Sequence, residues 1–167
     1  MKPDIDGPLG RFVRNGAAYD LIIERRIAKP VEKVWAALTV PERLADWFTA
    51  AQVDLRLGGR FNLAFDSENY RMQGVIVELE PPRLLAYTWP DPAHPDSIVR
   101  YELEPDGAGC RLILTQTGLG KDLVGSVVAG WHTFLEGLPG ATEGAANPWT
   151  KAREDEVLAL YQGRLPD

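Results

Sequence analysis

The sequence contains few of the residues that build disulfides and metal sites. Its 167 residues include one cysteine, Cys110, and two histidines, His94 and His132. A single cysteine excludes an intrachain disulfide, and the three residues are not spaced as zinc ligands are. We therefore expect neither a bound metal nor a cofactor.

Long apolar runs and basic clusters are also missing. No stretch approaches the roughly 20 apolar residues that a membrane span needs. Residues 1–10 lack the apolar core of a signal peptide, so a cytoplasmic location is expected. The formal net charge is −6, and nucleic-acid binding would need clustered Lys and Arg. Neither a membrane span nor a nucleic-acid partner is therefore predicted.

The first structured segment is predicted to be a hairpin. Asn15-Gly16 separates two apolar-alternating runs, 9–14 and 18–28, and Asn and Gly tolerate the positive φ that a type I′ turn requires at both central positions. Two short helices follow, one opening at Pro30 and one near Pro41, because proline suits the first helical position.

Alternating hydrophobicity from residue 52 to residue 119 predicts a run of strands. The turn signals between them are short, and short links can join only antiparallel neighbours, so the strands form a meander. Its predicted members are 52–57, 60–65, 70–80, 84–89, 97–104 and 110–117.

A long helix is predicted for residues 122–138. Eight apolar residues recur there at spacings of three and four, which indicates a helix lying on the apolar face of the sheet. Trp131 falls within about 10° of the centre of this stripe, so we expect it to anchor the helix. Asn147-Pro148 is predicted to open a last helix that ends near residue 162.

Several segments together resemble the START-like helix-grip superfamily, and within it the bacterial homologues of the heat shock protein 90 ATPase activator. They occur in the expected order over about residues 19–138, most of the chain. The segments are Ile23–Ile27, Pro30–Thr39, Pro41–Phe48, Gly58–Phe61, Gly74, Pro81–Leu84 with Tyr87–Trp89, Leu112–Leu119, and Gly130–His132 with Leu135 and Leu138.

The resemblance implies an α+β helix-grip fold, in which a curved antiparallel sheet wraps around a long C-terminal helix, with two short helices after the first core strand. We expect a single domain over 1–167, with a loose tail at 1–8 and a loop plus a short helix at 139–167. The superfamily shares a cavity between helix and sheet, for which a volume of roughly 300–1,000 Å³ is typical.

We therefore predict that this chain binds an apolar or amphipathic small molecule in such a cavity, as a carrier, sensor or sequestering module. A cyclase- or hydrolase-like enzyme using the same cavity stays open as an alternative. So does a protein-interaction module similar to the co-chaperone, with the stress-response role that this resemblance implies. A homodimer is also left open.

Large apolar side chains of the sheet and the helix are the candidate lining of the cavity, because small-molecule sites combine aromatic walls with a few polar groups. Each one is, taken alone, more often plain core. The candidates are Trp47, Phe61, Phe65, Tyr87, Trp89, Tyr101, Trp131, His132, Phe134 and Leu135.

His132 is the best polar candidate, because an imidazole can act as acid or base near neutral pH. It lies about 110° from the centre of the apolar stripe, so a boundary histidine is the alternative interpretation, and its loss should hardly change stability. Asp46 and Gln116 are expected on solvated faces. No catalytic constellation can be assembled from the sequence.

Overall fold

The computed structural model describes residues 9–66, 69–91, 94–147 and 149–165. The predicted tail at 1–8, and Pro148 at the start of the last predicted helix, lie outside these residues. The elements in chain order are β1 Arg11–Asn15, β2 Ala18–Ile27, α1 Val31–Thr39, α2 Pro41–Trp47, β3 Ala50–Val53, β4 Arg60–Phe65, β5 Tyr70–Glu80, β6 Leu84–Thr88, β7 Ile98–Asp106, β8 Gly109–Leu119, α3 Val124–Glu136, α4 Leu138–Ala141 and α5 Lys151–Tyr161.

The strands form one curled antiparallel sheet in the order β1-β2-β8-β7-β6-β5-β4-β3. Strands β3 to β8 are the predicted meander. Helices α1 and α2 carry the chain from β2 to β3 at the far edge of the sheet. The α+β helix-grip architecture is therefore confirmed.

The N-terminal hairpin is confirmed, but its turn differs from the prediction. Asn15 pairs with Ala18, so the two loop residues are Gly16 and Ala17. Only Gly16 of these two has a positive φ, +65°. This φ pattern is that of a type II′ turn, which needs glycine at its first central position alone.

A glycine lies in β5 near the point where this strand changes its pairing partner. The first half of β5 pairs with β4 and the second half with β6. A Cβ at Gly74 would lie 2.4 Å from the Thr88 carbonyl oxygen and 3.0 Å from that of Phe61. Only a residue without a side chain permits this close backbone approach.

Helix α3 lies on the inner face of the sheet and is shorter than predicted. It ends at Glu136, and Pro139-Gly140 belongs to the separate short helix α4 rather than to a loop. Helix α5 begins at Lys151, after Thr150, whose hydroxyl caps the helix by accepting from the Arg153 amide at 3.2 Å. Val157 and Tyr161 of α5 are fully buried, so α3 is covered on its second side.

No helix among the described residues is long and apolar enough to cross a bilayer.

Candidate functional site

An open cavity of about 750 Å³ lies between α3 and one end of the sheet. Its walls come from the end of α2, from β3, β4 and β5, from β8, and from residues 126–134 of α3. The start of α5 closes one side. The lining residues are Ala45, Asp46, Trp47, Phe48, Thr49, Ala50, Ala64, Phe65, Asp66, Tyr70, Trp89, Gln116, Ser126, Val127, Gly130, Trp131, Phe134, Trp149 and Glu154.

The apolar wall of this cavity is a group of aromatic rings gathered around Phe48. The Phe48 ring centroid lies 5.0 Å from that of Phe134 and 5.1 Å from that of Trp131. Phe65 and Trp89 follow at 5.5 and 6.2 Å. Edge-to-face and offset contacts at these separations are the favoured arrangements of aromatic pairs. The rings therefore support one another and still present apolar surface to the cavity.

Trp131 is held in place by a buried polar bridge. Its indole Nε1 donates to Gln116 Oε1 at 2.7 Å, and Gln116 Nε2 donates to Ser97 Oγ at 3.0 Å. Gln116 is 4% exposed, so its expected place on a solvated face is wrong. It continues the inward alternation of β8 and is tolerated inside because its amide is hydrogen-bonded on both sides.

Tyr70 contributes a polar group to the cavity wall. The Trp89 Nε1 donates to the Tyr70 hydroxyl oxygen at 3.1 Å. Burial raises the pKa of Tyr70, and the nearby Asp91 adds to this effect. The phenol therefore stays protonated at neutral pH, and its proton can be donated to a bound molecule.

Three carboxylates lie at the cavity. Asp46 accepts from Arg43 at 3.2 Å, and Asp66 accepts from Arg71 at 2.7 Å. The third, Glu154, accepts from the indole Nε1 of Trp149 at 2.8 Å. Trp149 in turn stacks on Phe134 with their centroids 6.2 Å apart, which joins this carboxylate to the aromatic wall.

Half of the sequence candidates line the cavity. These are Trp47, Phe65, Trp89, Trp131 and Phe134. Phe61, Tyr87 and Tyr101 are not among the described lining residues and lie in the closed part of the core. Leu135 and His132 are also buried away from the cavity.

The closed part of the core contains a buried tyrosine pair. Phe61 stacks on Tyr87 with their centroids 4.0 Å apart. The Tyr87 and Tyr101 hydroxyls are 2.9 Å from each other and hydrogen-bonded. Burial raises the pKa of both phenols well above the ordinary value. The two hydroxyls therefore satisfy each other's hydrogen-bonding capacity inside the core.

His132 is fully buried, so the expectation of a boundary residue is wrong. The sequence argument counted only the face of α3 that meets the sheet, whereas α5 covers this flank. The Tyr161 hydroxyl accepts from the Gly10 amide at 2.7 Å and lies 2.8 Å from His132 Nδ1. Either atom can be the donor in this second hydrogen bond, according to the tautomer of the imidazole.

The sequence analysis missed Phe48, Tyr70, Trp149 and Glu154 as cavity residues. Phe48 follows α2, where no periodicity indicates its direction. Glu154 belongs to the last helix and Trp149 lies just before it, in a part of the chain for which only a loop and a short helix were expected. Asp46 was expected on a solvated face but also lines the cavity. Within the described residues, no three His, Cys, Asp or Glu side chains are grouped as a metal ion requires.

The fold and its cavity define a helix-grip protein, and the comparisons with known proteins identify the family. The family model for the activator of Hsp90 ATPase homolog 1-like protein matches residues 28–143. The chain belongs to this family. No curated protein matches the sequence.

Similar solved structures extend over most of the chain. The crystal structure of CalU16 from Micromonospora echinospora is 29% identical, covers 93% of this chain and 95% of its own, and has a TM-score of 0.74. Protein MLL2253 from Mesorhizobium loti is 31% identical over 74% of this chain and 96% of its own, with a TM-score of 0.68. DynU16, from the dynemicin biosynthetic locus, covers 74% of this chain and 47% of its own at 23% identity, with a TM-score of 0.66, and is similar in fold.

Proposed function

We propose that this protein binds an apolar or amphipathic small molecule in the cavity beside α3, as a carrier, sensor or sequestering module. The observation that carries the proposal is the aromatic wall around Phe48, which borders a cavity of about 750 Å³. Ligand sites typically have this size and combine apolar walls with a few polar groups.

The chemistry of the wall favours a ligand with a sizeable apolar body. Burial of apolar surface contributes about 25 cal/mol per Å², and aromatic rings offer large areas at little entropic cost. Small residues leave the space that such a body would fill. Ala45, Ala50, Ala64 and Gly130 line the cavity among the larger rings.

An enzyme that uses the same cavity has less support. The His132–Tyr161 pair lies on the α5 side of α3 rather than in the cavity. Tyr70 does line the cavity, but its raised pKa makes it a hydrogen-bond donor rather than a base. The lining therefore supports binding better than proton transfer.

A protein-interaction module would use exposed apolar surface. Leu57, 62% exposed, lies in the turn between β3 and β4, and its neighbour Gly58 bonds to the Ile76 carbonyl in β5. Leu55, Val75 and Val77 are exposed in the same region. These four side chains lie near one another on the outer surface, whereas the aromatic residues of the cavity converge on a concave space of ligand size.

The proposal is tested with Nile red, a neutral dye whose emission rises in apolar surroundings. We expect saturable binding with one dye per chain, and native mass spectrometry of freshly purified protein should reveal a co-purified small molecule. Val127→Trp should abolish dye binding, since Val127 lines the cavity and a larger side chain would fill it.

Val13→Trp is the matched control, because Val13 is exposed on β1 away from the cavity and the change adds the same side chain. This variant should bind the dye like the parent protein. Dye binding that survives Val127→Trp, or no binding and no co-purified molecule, would overturn the proposal.

A further inference from the structure

We propose that the ligand is an organic cation with an apolar body, and that Glu154 receives its positive charge. This inference rests on the proposed binding function and adds the charge of the ligand. It follows from the position of Glu154, the pairing of its neighbours and the aromatic rings around it.

Glu154 lies where the cavity meets α5. Its Oε1 accepts the Trp149 indole proton at 2.8 Å. The side chain lies over Gly130 of α3, and a Cβ at position 130 would be 3.4 Å from Oε1. The missing side chain on α3 therefore lets the carboxylate lie close to this helix, and no described residue is hydrogen-bonded to Oε2.

Within the described ranges, no cationic side chain balances the charge of Glu154. Asp46 and Asp66 each have an arginine partner, Arg43 and Arg71. Glu154 has only the neutral indole of Trp149, and among the described residues no Lys, Arg or His forms an ion pair with it. A bound cation would supply the balancing charge in a partly buried place, where charge pairs are stronger than in water.

The rings near Glu154 favour the same charge. Trp149 and Phe134 stack beside it, and Phe48 and Trp131 continue this wall into the cavity. The faces of aromatic rings carry negative potential and attract ammonium groups, Trp most strongly. A carboxylate beside several aromatic faces is a combination suited to a quaternary or tertiary ammonium.

Anionic ligands are disfavoured by the same residues. The described lining contains three carboxylates and no Lys, Arg or His. A fatty acid or a phosphate ester would bring a further negative charge into this surface, and no basic side chain of the lining would pair with it. The apolar body alone would therefore have to offset the repulsion.

The test uses three probes that share a 2-naphthylmethyl body and carry different polar groups: (2-naphthylmethyl)trimethylammonium, 2-naphthalenemethanol and 2-naphthylacetate. Affinities are measured by isothermal titration calorimetry at pH 7 and low salt. We expect the cation to bind about tenfold more tightly than the alcohol, and the carboxylate to bind most weakly.

Glu154→Gln should reduce the preference for the cation over the alcohol, because the amide has nearly the same shape as the carboxylate and carries no charge. Asp155→Asn is the matched control, because it removes one negative charge from the next residue of α5, whose carboxylate pairs with Lys151 and does not line the cavity. This variant should keep the full preference.

The outcomes separate the two proposals. If the alcohol binds as tightly as the cation, or the carboxylate binds best, the charge inference is overturned while the cavity still binds apolar molecules. An unchanged preference in Glu154→Gln overturns the role of Glu154. If none of the three probes binds and Nile red also fails, the proposed function itself is contradicted.

Discussion

The space between α3 and the sheet has two ends that use similar residues and behave differently. At the closed end, Phe61 stacks on Tyr87, and the tyrosine hydroxyls of Tyr87 and Tyr101 bond to each other. At the open end, Phe48 and its neighbouring rings surround a cavity. Aromatic rings occur at both ends, so their presence alone does not decide which end closes.

The difference follows from what fills the gaps between the rings. Small side chains lie among the rings at the open end, where Ala64 of β4 and Gly130 of α3 line the cavity. Leucine, valine and methionine side chains, such as Leu63, Met72 and Val99, are fully buried in the core. The cavity therefore depends on the small residues beside the rings as well as on the rings.

The largest expected effect comes from Trp131, which contacts both ends. Its ring lies 6.2 Å from Tyr101 and 5.1 Å from Phe48, and it is 4% exposed. Trp131→Ala should destabilise the protein by about 3–5 kcal/mol, because it removes a large buried side chain and leaves Gln116 without its donor. Thermal unfolding measures this loss.

Trp131→Phe is the control, since it keeps an aromatic six-membered ring and removes the pyrrole part of the indole with its N–H. Its melting temperature should lie between those of the parent and the alanine variant. An alanine variant that melts like the parent would mean that α3 is not anchored through this residue.

A smaller effect is expected from the tyrosine pair at the closed end. Tyr87→Phe should cost about 1–3 kcal/mol of stability, because the Tyr101 hydroxyl then loses its partner in a buried place. The double variant Tyr87→Phe/Tyr101→Phe should be less destabilised than the sum of the single variants. Urea unfolding of the four proteins gives this coupling.

The affinity for Nile red, measured in the same tyrosine variants, tests whether the two ends are separate spaces. It should be unchanged in all the tyrosine variants, since neither residue is among the described lining of the cavity. Weaker dye binding in Tyr87→Phe would show that the two ends are one continuous space.

The fold was largely predictable from the sequence, whereas only half of the site candidates line the cavity. Alternation at period two, as in Phe61 and Leu63, indicates which face of a strand is buried but not whether a buried ring touches a neighbour or a void. Tyr87 and Trp89 share one strand face, yet one is enclosed and the other lines the cavity.

The surroundings of His132 and Glu154 could not be predicted from the apolar pattern of a single helix. The apolar stripe of α3 places His132 on a flank, and only the packing of α5 decides that this flank is buried. Glu154 lies on α5 itself, whose weak apolar pattern contains no signal for a contact with α3. Both positions depend on contacts between elements that are distant in the sequence.

The closed end should also make the protein sensitive to alkali. An unfolded tyrosine loses its proton near pH 10, whereas burial raises the pKa of Tyr87 and Tyr101 in the folded protein. The unfolded state therefore binds fewer protons above pH 10, so stability falls as pH rises, by about 1.4 kcal/mol per tyrosine for each pH unit.

Urea unfolding between pH 8 and pH 11 measures this slope, which should be shallower in Tyr87→Phe/Tyr101→Phe. Burial also raises the pKa of Cys110 from 9.0 to about 11, so Cys110→Ala is needed to remove its contribution between pH 9 and pH 11. An equal slope in the parent and the double tyrosine variant would contradict a closed, water-free pair.

The smallest expected effect tests why the open end is open. Gly130 lies inside α3, where glycine costs about 1 kcal/mol relative to alanine. Gly130→Ala should therefore raise stability by about 0.5–1 kcal/mol, because the new methyl group meets only Glu154 Oε1, at an ordinary contact distance of 3.4 Å. The same methyl group enters the cavity and should weaken Nile red binding.

Gly125→Ala is the comparison: it also adds a methyl group to α3, but that group would meet the flexible Leu165 side chain, and Gly125 is not among the described lining residues. Dye affinity should then be unchanged. If Gly130→Ala destabilises the protein, or binds Nile red as the parent does, the small residues of α3 do not shape the cavity, and the contrast between the two ends needs another cause.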